Sequence, residues 1–151
     1  MARVDKLGNP VSYGDQPSID ALDRAIDLLH AYQADPLAAV DEIIAEHPDF
    51  AMAHAFRAGA LATATDKAFE PELVRSVAAA EALASGANDR ERTHISAVRA
   101  WLDGDWERAT ELWGRASIAY PYDLVALQFA HVGDFFLGYS HMLRDRIARV
   151  L

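Results

Sequence analysis

The sequence contains no cysteine, which excludes disulfide staples, thiolate zinc sites, iron–sulfur clusters and cysteine nucleophiles. Cations are scarce as well. Fourteen Lys and Arg stand against 23 Asp and Glu, and the net charge of −9 opposes a sequence-independent grip on phosphate backbones. Nucleic acid and anionic membranes are therefore not expected partners. No apolar stretch approaches the roughly 18 residues of a spanning helix, since His54 and Arg57 interrupt even the Ala-rich run after Phe50. The N-terminal segment with Arg3, Asp5, Lys6 and Gly8 lacks the apolar centre of a signal peptide, which makes the cytoplasm the expected location. Also missing are a phosphate-binding Gly-Lys-Ser/Thr run, a Gly-x-Ser-x-Gly elbow, a Gly-x-Gly-x-x-Gly turn and a His-Glu-x-x-His pair. No catalytic residue, cofactor or metal is assigned from motifs, and whatever chemistry the chain has must use His, carboxylates or hydroxyls.

What is present favours helices. Hydrophobic residues make up 52% of the 151, enough apolar surface for one domain with a core. Roughly a fifth of the chain is Ala, the strongest helix former and small enough to let two helices approach closely. Gly8, Pro10, Gly14 and Pro17 predict an extended lead-in over residues 1–17. From Ser18, read as an N-cap, Ile19, Leu22, Ile26 and Leu29 recur at three and four and predict a first helix to about Ala34. Asp35-Pro36 opens a second, ended by His47-Pro48; a third runs from about Asp49 to Thr65. The fourth begins near Pro71 and ends where Gly86 is expected to adopt a left-handed conformation. Asn88 with Glu91 resembles a capping box for the fifth. Gly104 marks a tight turn before the sixth, Pro121 ends that helix, Asp123 caps a seventh to about Leu137, and an eighth spans Tyr139 to Leu151.

A spacing recurs through these helices. Gly104 lies two residues before Trp106, and Ala109, Trp113, Ala116 and Pro121 follow at three, seven, ten and fifteen, the pattern of the second helix of a 34-residue tetratricopeptide repeat. Gly138 recurs where Gly104 stood, and Pro48 closes an earlier second helix as Pro121 does. Units beginning near Pro17, Ala51, Arg90 and Leu124 give four hairpins, the second stretched to about 39 residues. The fold class expected is all-α: a right-handed α-solenoid of antiparallel helical hairpins over residues 18–151.

Longer phrases carry a closer resemblance. Arg90-Glu-Arg-Thr-His94, Ala97, Gly104-Asp-Trp106, Glu111-Leu-Trp113, Pro121, Asp123, Ala126-Leu127 and Phe135-Phe-Leu-Gly-Tyr139, with Pro48-Asp-Phe50 and Ala53-His54-Ala55, resemble the tetratricopeptide repeat protein 38 family. The resemblance covers the N-terminal part of members much longer than this chain. It implies an α-superhelix with an interaction role and supplies no catalytic residue or ligand. It departs from the general repeat where Thr93 and Leu127 replace the Trp expected early in first helices.

In such a superhelix the first helix of each unit lines the inner surface. The residues expected to hold a protein or peptide partner are Glu91, His94, Val98, Trp101 and Leu102 in the third unit, then Val125, Gln128, Val132, Phe135 and Phe136 in the fourth. Trp101, Phe135 and Phe136 are read as aromatic anchors. The alternative is a helical-repeat enzyme, or a protein binding a metal or small ligand through His54, His94 and His131 on the inner face. His131 and Asp134, three apart on one helix face, could share a proton or ion. Arg144, Arg146 and Arg149 read as a solvated helix end. The last helix ends without a closing Pro or Gly and carries Leu143, Ile147, Val150 and Leu151, so its face is expected to be covered by further chain or by self-association.

Overall fold

The computed structural model describes residues 3–151. Eight helices follow one another: α1 (Gln16–Ala31), α2 (Pro36–Glu46), α3 (Ala51–Ala64), α4 (Glu70–Ala82), α5 (Asp89–Leu102), α6 (Trp106–Ala119), α7 (Leu124–Leu137) and α8 (Ser140–Ala148). Short 3₁₀ turns at Lys67–Phe69 and Ala84–Gly86 flank α4. Each helix packs on its neighbours in sequence, and α3 also lies against α5 and reaches α7.

Side-chain caps start most of these helices. Asp35 accepts from the backbone N–H groups of Leu37 and Ala38, Asp105 from Arg108 and Asp123 from Ala126. Asn88 and Glu91 form the reciprocal capping box at the start of α5. Gly104 and Gly138 take positive φ, 85° and 74°, between α5 and α6 and after α7. Nothing lies within 4 Å of where a Gly104 Cβ would sit, so the turn there requires the left-handed backbone rather than extra room. Gly86 differs from expectation: α4 stops at Ala82, Leu83 stays in the α region, and the chain continues through a 3₁₀ turn with no left-handed residue.

The start of the chain also differs. Of the predicted lead-in, residues 1 and 2 lie outside the described residues. Arg3–Val4 (β1) pairs antiparallel with Pro10–Val11 (β2), Arg3 opposite Val11. Asp15 rather than Ser18 caps α1, accepting from the Ser18 N–H at 3.0 Å, while Ser18 is buried inside the helix. The helix starts one turn earlier than expected, so Ser18 falls inside its first turn and its hydroxyl also donates to the Asp15 carboxylate.

Helix α3 is the centre of the packing. Eleven of its 14 residues are buried, a helix apolar on every side that can only sit inside the other layers. Ala53, Phe56 and Ala58 have no exposure. A Cβ on Gly59 would overlap the ring of Phe129 on α7, so the missing side chain is what lets α7 approach. The one charged side chain of α3, Arg57, ties its neighbours together: it donates to Asp41 on α2 at 2.5 Å and, on α4, to Ser76 at 2.7 Å and Glu72 at 3.0 Å.

Gly59→Ala should accordingly destabilise the chain by about 1–3 kcal/mol, the usual range for overpacking a filled core, with the urea slope unchanged. A urea midpoint equal to that of the unmodified chain would show that α3 and α7 are not in this contact.

Candidate functional site: an aromatic edge and a clasped inner face

The residues expected on the inner face divide into two groups. Glu91, His94 and Val98 have no exposure and Trp101 only 4%, so these four are interior groups and not partner contacts. Val125 is buried too. Leu102, Gln128 and Val132 are half-buried, whereas Phe135 and Phe136 are 67% and 39% exposed.

The N-terminal arm covers the start of α5, where Glu91 lies, whereas Trp101 at the far end of α5 is enclosed by Trp106, Trp113 and Phe136. Ser12 donates to Glu91 through its backbone N–H at 2.9 Å and through its hydroxyl. Pro10 offers its carbonyl to Asn88 and to Arg90, each at 3.0 Å. Asn9 donates to the Tyr122 carbonyl at 3.0 Å, and the Lys6 backbone donates to Asp23 on α1 at 2.9 Å. Tyr13 stacks on Phe50 with ring centroids 4.6 Å apart. The arm therefore ties α1 to the starts of α5 and α7.

Asp123 sits under this arm. Its carboxylate accepts from Arg90 Nε at 2.7 Å, from His94 Nε2 at 2.9 Å and from the Ala126 backbone at 3.0 Å. Burial alone would raise its pKa, but the His94 and Arg90 partners outweigh that and hold the carboxyl well below the usual carboxylate range. His94 and Asp123 are both buried, their side chains 1% and 0% exposed.

The other histidines do not join His94. His54 bonds the nearby Pro48 carbonyl through Nε2 at 2.8 Å, and His131 lines a different cleft with His30. Among the described residues no group of three His, Asp or Glu side chains could hold a metal. Asp134 is not available to His131, because Arg146 grips it with two guanidinium bonds, one of 2.9 Å. Arg146 is thus a buried ion-pair partner instead of a solvated cation, and a Cβ on Gly114 would collide with its guanidinium. Leu143 and Val150 are half-buried, leaving Ile147 and Leu151 as the exposed apolar residues of the last helix and tail.

The open aromatic surface lies at the opposite ends of α5 and α7 from the arm. Trp101 stacks on Trp106, centroids 4.5 Å apart and planes 12° apart, and Phe136 leans on both at 6.4 and 6.1 Å. Phe135 meets Phe136 edge-on at 5.7 Å. Beside this cluster a cleft of about 270 Å³ runs between Leu61, Phe69 and Leu73 on one side and Trp101, Leu102 and Trp106 on the other, with Asp66, Lys67 and Glu70 also in its lining. The stack pre-positions the exposed Phe136 ring, which lowers the entropy lost when a partner covers it.

Asp123→Asn keeps the shape but removes the charge that Arg90 faces, and should cost about 3–5 kcal/mol at neutral pH. Because the folded pKa of Asp123 is depressed, its contribution is complete above the unfolded value of about 4 and is lost as pH falls through that value toward the folded one. Urea unfolding from pH 7 to pH 3 should show a shallower acid decline in the variant; parallel declines would mean that Asp123 is not the linked group.

No helix among the described residues is long and apolar enough to cross a membrane. No protein-family model matches the chain and no solved structure matches it, which leaves the geometry of the site itself to carry a functional reading.

Proposed function

We propose that this chain is a tetratricopeptide-type interaction module, its hairpins wound as a right-handed α-solenoid, which holds a protein or peptide partner on the aromatic edge of Trp106, Phe135 and Phe136. We extend the proposal to kinship with the tetratricopeptide repeat protein 38 family, on the motif phrases quoted above, and to a cytoplasmic setting.

Support comes chiefly from Phe135. It is a phenyl ring two-thirds exposed that meets Phe136 at the edge of the Trp101–Trp106 stack. Large aromatic groups held in place at the surface are the anchors that interfaces use, because they bury much area at little entropic cost. Helices packed in chain order, with α3 beside α5 and glycines of positive φ after α5 and α7, are what a stack of hairpins requires. The partner residues then reduce to Leu102, Val132, Phe135 and Phe136, with Trp101 acting from beneath as support; Gln128 faces a separate cleft near the start of α7.

A Phe135→Ala, Phe136→Ala double variant should lose the partners that the immobilised unmodified chain captures from native lysate, while its helical circular dichroism and melting temperature change little. Trp101→Ala, by contrast, should cost about 3–5 kcal/mol as a core truncation. Capture of the same partners in the same amounts by the double variant would refute the docking role of the edge.

A further inference from the structure

At the N-terminal half of α7, away from Phe135 and Phe136, α1, α7 and α8 border an open cleft of about 370 Å³ lined by His30, Leu124, Leu127, Gln128, His131 and Ile147, with Leu124 43% and Ile147 38% exposed. That volume is in the range of small-molecule sites. Its lining is unusual for this chain. None of the six side chains is Asp, Glu, Lys or Arg, although 37 residues of the sequence are, whereas Asp66, Lys67 and Glu70 line the cleft beside Trp101 and Trp106.

Each of the two histidines also has one ring nitrogen without a partner. His30 Nε2 and His131 Nδ1 are sealed from solvent and have no hydrogen-bond partner. An N–H group buried without an acceptor is costlier than a bare lone pair, and a protonated ring would place an N–H at both positions. The sealed nitrogens are therefore the bare ones, and the ring protons sit on His30 Nδ1 and His131 Nε2. Burial also pushes the His30 pKa below the usual imidazole range, with Asp27 and a hydrogen bond to the Leu124 backbone opposing that shift and Lys6 adding to it. The cleft thus offers three aliphatic side chains, the Gln128 amide and imidazole N–H donors, with no fixed charge to pair an ion.

We propose that this cleft binds an uncharged amphipathic small molecule, its alkyl or aromatic body against Leu124, Leu127 and Ile147 and its hydroxyl or carbonyl oxygen accepting from His131 and Gln128. An ionised ligand is disfavoured there because the lining offers it no counter-charge. The site is independent of partner docking at the aromatic edge, and neither requires the other.

Straight-chain alcohols from butanol to octanol are suitable probes, titrated into uniformly 15N-labelled full chain, with hexanoate and hexylammonium as charged counterparts of hexanol. Two-bond 1H–15N spectra of the histidine rings and the Gln128 side-chain amide report binding. The result expected is saturable shifts at His30, His131 and Gln128, and affinity rising about fourfold per added methylene until the cleft is full. Both hexyl ions should bind at least tenfold more weakly than hexanol. Ile147→Trp, at a half-exposed position, should fill the cleft and abolish the shifts; should it misfold, Gln128→Leu should still weaken hexanol binding severalfold with the fold intact. The Phe135→Ala, Phe136→Ala variant should titrate as the unmodified chain does. Shifts that grow linearly without saturation, or charged probes that bind as well as hexanol, would overturn the proposal.

Discussion

The carboxylate of Asp123, buried where α5 meets α7, accepts at once from the α7 backbone, from Arg90 and from His94. Taking a carboxylate and a guanidinium out of water costs several kcal/mol each, and only a nearly complete set of partners offsets it. Arg90 completes its own set by reaching the Pro10 carbonyl and lying 3.6 Å from Asp5, so the arm is part of the condition under which the charges can be buried. Local capping at one helix start is thereby coupled to the placement of a segment about eighty residues away in sequence. A second buried pair, Arg146 with Asp134, performs the same service at the other end of the chain and holds α8 on α7.

Around these clamps the apolar packing is organised by α3. Because α3 is covered on almost every side and Gly59 admits Phe129, α7 is drawn inward to a helix four elements earlier. That close approach, with the arm drawn across the starts of α5 and α7, leaves accessible the C-terminal half of α7 and a cleft beside its N-terminal half. The two open regions differ in chemistry: one is a terrace of aromatic rings with charged residues close by, the other is free of charge.

Much of the helical framework was legible from single residues. Asp35-Pro36, Asn88 with Glu91, Asp123 and Gly138 each carry a local mechanism, a cap or a left-handed stop, that does not depend on the rest of the fold, and α2, α5 and α7 begin or end where these residues predict. Gly86 misled because a glycine permits a positive φ without imposing one, and the 3₁₀ continuation satisfied the same carbonyls. The inner face misled for a different reason. Repeat position gives the direction of a side chain from its own helix, but exposure depends on what else arrives, and nothing local to Glu91 or His94 announces that Ser12 and Asp123 will cover them. Trp101 was read as an anchor on the same argument, yet Trp106, Trp113 and Phe136 enclose it. His30 went unnoticed because its partners in the cleft lie on α7 and α8, over ninety residues away.

The central claim is that the arm and the buried Asp123–Arg90 pair form one cooperative unit with α5 and α7. Native-state hydrogen exchange of the full chain measures this directly, residue by residue. The backbone amides of Asn9 and Ser12, bonded to Asp5 and Glu91, should open with the same free energy as amides in the middle of α5 and α7. Exchange of those two amides at rates near those of an unstructured chain, while α5 and α7 remain protected, would contradict it.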